Sequence, residues 1–125
     1  MPKVDEVLEL LLKIFFEHQI QIKMFHFQTK TYGSHKASDE YLNKVNATFD
    51  QLMEVAQGIF GRFTTSQISI KVVMVDDNNI GECLDKFINV IMKTSVCYKD
   101  RTDLTNIRDE IVANANQFKY LLTFK

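Results

Sequence analysis

Apolar residues recur every three to four positions along four stretches of this chain, with polar and charged residues between them. This spacing is typical of amphipathic α-helices. It predicts helices at residues 4–29 (α1), 35–60 (α2), 78–98 (α3) and 102–122 (α4). The positions predicted to face inward are Leu8, Leu11, Leu12, Phe15, Ile22 and His26 on α1, Leu42, Val45, Phe49, Leu52, Met53 and Ala56 on α2, Leu84, Phe87, Ile88, Ile91 and Met92 on α3, and Leu104, Ile107, Ile111, Ala115, Phe118 and Leu122 on α4.

Helix-breaking residues are rare, since the chain has one proline and four glycines. The α1–α2 and α3–α4 links are short, which predicts two antiparallel helical hairpins. Ser34 is the predicted N-cap of α2. Ser38 is the alternative cap, and in that case His35 would lie outside the helix.

The connection between the two hairpins, residues 62–77, is rich in β-branched residues and extended in character. Sixteen extended residues reach about 50 Å, enough to run along helices of roughly 35–40 Å. A long crossover is therefore one interpretation, and a short edge strand is the other. We expect an all-α four-helix bundle forming a single domain over residues 1–125.

Charge and composition exclude several classes of function. The net charge is −1, without the basic excess that nucleic acid or anionic lipid attracts. The apolar run at residues 7–16 is too short for a membrane span and is interrupted by charges. Cys83 and Cys97 are 14 residues apart on one predicted helix, about 21 Å along its axis and too far for a disulfide. The expectation is a soluble protein with reduced thiols in the cytoplasm.

One polar stripe flanks the apolar stripe of α2. Its members are His35, Asp39, Asn43, Asn46, Asp50 and Glu54. His35/Asp39 and Asp50/Glu54 are spaced by four residues, so the two side chains of each pair lie on one helix face. The two pairs are about 16 Å apart along the helix, so one helix cannot bring all four side chains to one ion.

Two copies of α2 can bring the pairs together. In an antiparallel arrangement about a two-fold axis, facing residues have numbers with a constant sum. His35 with Glu54 and Asp39 with Asp50 have the same sum, so each pair would face the other pair of the second copy. His26, projecting inward from the last turn of α1, could complete two imidazoles and three carboxylates. Such nitrogen and oxygen ligands suit iron, zinc or manganese better than calcium.

These residues resemble the Dps family of small ferritin-like, iron-oxidising proteins. The family motif is a histidine late in the first helix, then a histidine, an aspartate four on, an aspartate fifteen on and a glutamate nineteen on. His26, His35, Asp39, Asp50 and Glu54 match it. The stretch "FHFQTKTYGSHKA" looks closer still to the small ferritin-like proteins of large DNA viruses and phages. The resemblance covers residues 18–62, and the remainder only by helix count.

The resemblance implies a ferritin-like bundle with two antiparallel hairpins and a long crossover. It also implies a homodimer through α2, possible higher homo-oligomers, and oxidation of Fe(II) by peroxide or oxygen. Among the oxygen ligands, Glu54 would be the bridging one. No catalytic residue is expected apart from the metal ligands. A viral member would act in the host cytoplasm or the virion. Phe27 stands where the family commonly has tryptophan, and the α1–α2 link is shorter than usual. No lysine-rich tail is evident, so DNA binding is not expected.

The alternative hypothesis is a structural or interaction bundle without catalysis, for example a viral assembly component. His26 would then be a hydrogen-bonded core histidine, and Asp50 and Glu54 ordinary surface carboxylates. The chain contains no Glu-x-x-His motif, P-loop or nucleophile elbow. His18 lies two turns from His26 and about 80° around the helix, so it is not a predicted ligand.

Overall fold

Four helices account for most of the chain, as seen in a computed structural model that describes residues 4–124. They are α1 (Val4–Gln28), α2 (Tyr32–Phe60), α3 (Ile80–Thr94) and α4 (Thr102–Leu121), with a 3₁₀ turn at Ser95–Tyr98. The prediction of an all-α chain with four helices is confirmed. No strand occurs in residues 4–124, so the edge-strand interpretation of residues 62–77 is wrong. The predicted domain also includes residues 1–3 and 125, which lie outside the described residues.

The helices form a ring in which α1 and α4 each pack against both α2 and α3. Consequently α2 and α3 lie at opposite corners. The two helices of the first hairpin are antiparallel, because Phe15 stacks on Phe49 while His26 contacts Ser38. In the second hairpin α4 is likewise antiparallel to α3, since Lys119 pairs with Asp85 near the start of α3.

The long connection follows α1 from one end to the other. The Thr65 hydroxyl donates to the Glu9 carboxylate, and the Lys71 backbone N–H donates to the Glu17 carboxylate. Near the end of α1, the Asp77 carboxylate accepts hydrogen bonds from the Thr29 hydroxyl and the Lys30 N–H. Helix α3 therefore begins beside the end of α1 and runs antiparallel to it.

The start of α2 differs from the prediction. Thr31 is the N-cap, with extended backbone angles (φ −112°, ψ 137°), and its hydroxyl oxygen accepts from the Ser34 N–H at 3.3 Å. The predicted cap Ser34 and the alternative Ser38 are both wrong, because each is buried inside the helix. His35 consequently lies on α2, as the polar stripe requires. At the other end of the bundle, the last four predicted residues of α3 form the 3₁₀ turn instead.

Aromatic and aliphatic side chains from all four helices fill the core. The largest fully buried ones include Phe25, Phe49, Phe118, Leu11, Leu84 and Ile111. Phe15 packs against Phe49 with ring centroids 4.6 Å apart. The predicted inward positions are buried or half-buried except Met92, which is 43% exposed. No helix within residues 4–124 has the apolar length needed to cross a membrane.

Candidate metal centre

Two histidines meet where α1 passes into α2. His26 lies in the last turn of α1 and His35 in the first turn of α2, and the short link between the helices brings them together. Their rings stack with centroids 3.8 Å apart and an interplanar angle of 22°. His26 is 8% exposed and His35 is half-buried. The sequence predicted both residues as nitrogen ligands, and the structure places them side by side.

Reciprocal hydrogen bonds hold this histidine pair. His35 Nδ1 lies 2.8 Å from the backbone oxygen of His26, and His26 Nδ1 lies 3.0 Å from the backbone oxygen of His35. A carbonyl oxygen accepts and never donates, so Nδ1 carries the proton in both rings. The Ser38 hydroxyl, 3.0 Å from His26 Nδ1, donates to the His35 carbonyl at 2.8 Å and so supports the pair. Sequence reasoning considered Ser38 only as a helix cap and missed this role, although its position three residues after His35 on α2 was a usable signal.

This arrangement leaves the second nitrogen of each ring available. No residue in the 4–124 range hydrogen-bonds Nε2 of His26 or His35. In the same range Tyr98 Oη is the only fully buried side-chain nitrogen or oxygen without a partner, so both Nε2 atoms reach solvent. Histidines that bind metals characteristically donate their other ring N–H to a carbonyl or a carboxylate, which fixes the tautomer. The pair thus presents the lone pairs of two Nε2 atoms. The hydrogen bonds from Nδ1 to the backbone oxygens fix the orientation of both rings.

The three predicted carboxylates are all exposed. Asp39 lies with the histidines, its Oδ1 3.9 Å from His26 Nδ1. Asp50 and Glu54 are further along α2 and make no hydrogen bond or ion pair with other residues of the described chain. Within one copy, residues 4–124 bring no three His, Cys, Asp or Glu side chains close enough to hold a metal ion. One chain therefore places Asp39 beside the His26–His35 pair without completing a three-ligand site, and it leaves Asp50 and Glu54 further along α2.

An exposed apolar stripe on α1 lies beside the polar stripe of α2. Phe16, Ile20 and Phe27 are 42%, 40% and 70% exposed. Ile20, Phe27 and the half-buried Leu42 of α2 line one groove between the two helices. Sequence reasoning missed this stripe, although its spacings of four and seven residues are helical and it lies outside the predicted core face. Contiguous exposed apolar side chains of this kind mark interaction surfaces.

The protonation of the two rings is directly testable. We expect ¹⁵N NMR of the two rings in their neutral form to show protonated Nδ1 and unprotonated Nε2 for both His26 and His35, because each Nδ1 donates to a carbonyl. Protonated Nε2 in either ring of the pair would contradict the hydrogen bonds described above.

Comparison with known proteins identifies a family. Residues 26–122 match the family of unknown function DUF5856, so the match covers well over half of the chain and includes all five predicted ligands. Neither the curated proteins nor the solved structures contain a significant match. The chain belongs to the DUF5856 family.

Proposed function

We propose that this chain is a ferritin-like, Dps-like protein that binds iron and oxidises Fe(II) at a site shared by two copies. The observation that carries the proposal is the reciprocal bonding of His26 and His35, which turns both Nε2 lone pairs into available ligands. Asp39 of the same chain supplies an oxygen. Asp50 and Glu54 of the second copy supply the others, with Glu54 as the bridge.

The helix arrangement supports a ferritin-like relationship. In a bundle that simply alternates up and down, α2 and α3 are neighbours joined by a short loop. Here they lie at opposite corners, and the segment joining them runs along the whole of α1. A long crossover connecting two antiparallel hairpins is the connection of ferritin-like bundles.

The surface of the first hairpin supports a homodimer. The polar stripe of α2 is exposed at Asp39, Asn43, Asp50 and Glu54, and its residue numbers suit antiparallel pairing about a two-fold axis. Phe16, Ile20 and Phe27 border this surface and are exposed in the single chain. Pairing through α2, with α1 alongside, would cover them. Higher homo-oligomers are compatible with such a dimer.

The donor set fits iron. Two imidazoles and three carboxylates are ligands that iron shares with zinc and manganese. Neither the two Nε2 atoms nor the carboxylates of Asp50 and Glu54 bond to other parts of the described chain, so binding breaks no internal hydrogen bond. Fe(II) is the substrate: two Fe(II) ions give two electrons to one hydrogen peroxide, which takes up two protons and becomes two waters. The protein residues hold the ions and leave positions for the oxidant.

Anaerobic Fe(II) titration tests this function. We expect about two high-affinity sites per dimer, and oxidation of the bound Fe(II) when peroxide is added. The alternative hypothesis, a structural or interaction bundle such as a viral assembly component, shares the dimer but has no Fe(II) site. A dimer without Fe(II) binding would therefore refute the iron proposal. Preferential retention of zinc or manganese would identify that metal, instead of iron, as the one that the site binds.

A further inference from the structure

A second candidate site lies on the other side of α1, away from the histidine pair. A cavity of about 320 Å³ opens between α1, α3 and the connecting segment. Apolar side chains such as Ile14, Val75, Phe87 and Val90 form its walls, and His18, Gln21 and Cys83 contribute polar groups. The volume is at the lower end of the range for small-molecule pockets.

His18 is a buried polar side chain in the lining of this site. It is 3% exposed, and its ring stacks on Phe87 with centroids 3.6 Å apart. Its Nε2 lies 2.6 Å from the hydroxyl of Tyr41, which is also buried. Burial lowers the pKa of His18 to about 3, so the ring is neutral at physiological pH. Burial raises the pKa of Tyr41, so its hydroxyl keeps its proton.

The position of the ring proton follows from the Tyr41 hydroxyl. This hydroxyl has no other partner in the described range, so its proton would be left buried and unpaired unless it is donated to His18. Tyr41 therefore donates to Nε2, and the proton of the neutral ring is on Nδ1. Nδ1 has no partner among residues 4–124 and is not one of their fully buried unpartnered atoms. Nδ1 therefore keeps some accessible surface. Since the rest of His18 is buried and the residue lines the cavity, this surface faces the cavity, and the Nδ1–H is accessible from it.

Neighbouring groups define the ligand further. The Gln21 side-chain oxygen accepts from the Cys83 thiol at 3.5 Å, which leaves the Gln21 amide N–H₂ as a second donor. Burial raises the pKa of Cys83 to about 11, so it remains a thiol and not a nucleophile. At the rim, Lys86 is paired with Glu82, and Glu17 adds a further negative charge. These charges disfavour an anionic ligand.

We propose that this cavity binds a small uncharged molecule with an aromatic or apolar body and a carbonyl oxygen, which accepts a hydrogen bond from His18 Nδ1–H. The walls match the apolar body, and the donors His18 and Gln21 match the oxygen. The site is independent of the proposed iron chemistry, because His18 lies about 12 Å from His26 along α1.

NMR titration of the full chain tests the proposal with three probes: acetophenone, α-methylstyrene, in which CH₂ replaces the carbonyl oxygen, and benzoate. We expect acetophenone to shift the His18 Nδ1–H signal and the backbone amide signals of Val73 and Cys83. It should bind about fivefold to tenfold more tightly than α-methylstyrene, as one added hydrogen bond allows, and more tightly than benzoate. Equal binding of acetophenone and the hydrocarbon, tighter binding of benzoate, or no shift of the His18 signal would overturn the proposal.

A double variant isolates the hydrogen bond. His18→Phe with Tyr41→Phe preserves both aromatic shapes and removes both members of the buried polar pair, so it leaves no orphaned donor. We expect its preference for acetophenone over α-methylstyrene to shrink, because Gln21 is then the only donor left for the carbonyl oxygen. Tyr98→Phe is the matched control, since it removes the hydroxyl of a buried tyrosine that does not line the cavity, and it should keep the preference. An undiminished preference in the double variant would contradict the proposal, and the His18 shift in the unaltered protein tests it if the variant does not fold.

Discussion

Replacing Asp50 and Glu54 together with alanine is expected to abolish high-affinity Fe(II) binding by the dimer. The change removes two of the five proposed ligands from each site, both of them contributed by the second copy. Loss of groups that merely support metal ligands weakens metal binding 10–100-fold, so loss of two ligands should weaken it by more than about 100-fold. Anaerobic Fe(II) titration measures the result.

The double variant should fold normally. Both carboxylates are exposed and make no hydrogen bond or ion pair within the described part of the chain, so the free energy of unfolding should change by less than about 0.5 kcal/mol. Glu40→Ala with Glu110→Ala is the matched control. This control removes two exposed carboxylates and therefore the same amount of negative charge. Glu40 lies on α2 but faces α4. Unchanged Fe(II) stoichiometry in the Asp50/Glu54 variant, or an equal loss in the control, would contradict the proposed ligands.

Helical periodicity predicted most of the fold. The stripes on α1 and α4 located both helices to within one residue at each end, because amphipathic packing repeats over many turns. The start of α2 was harder to predict, since Thr31, Ser34 and Ser38 are all acceptable caps. Burial of Ser34 and Ser38 decides between them, and burial depends on how α2 packs against its neighbours.

The candidate site was predictable only in part. Residue spacing alone identified the His35/Asp39 and Asp50/Glu54 pairs, since four residues is a local helical distance. The bonds between His26 and His35 depend on the path of the α1–α2 link, and spacing does not reveal that path. The bond from Tyr41 to His18 joins residues 23 positions apart and likewise depends on helix packing. Spacing therefore indicated which residues are candidates, while packing determined their hydrogen bonds.

A mixed dimer is expected to regain a site that neither parent dimer has. One chain carries His35→Ala with Asp39→Ala, and its partner carries Asp50→Ala with Glu54→Ala. Each chain alone forms dimers in which both sites are incomplete. In the mixed dimer, the intact His35 and Asp39 of one chain face the intact Asp50 and Glu54 of the other. The buried His26 is kept in both chains, so the α1–α2 corner should remain folded.

Fe(II) titration of this mixed dimer tests the sharing of the site most directly. The two chains carry different affinity tags, are produced together and are isolated by two successive affinity steps before anaerobic titration. Sharing of the site between two chains predicts about one high-affinity Fe(II) site per mixed dimer, half the number in the unaltered dimer, and none in either parent. A mixed dimer without a high-affinity site, or parent dimers that keep both of theirs, would contradict it.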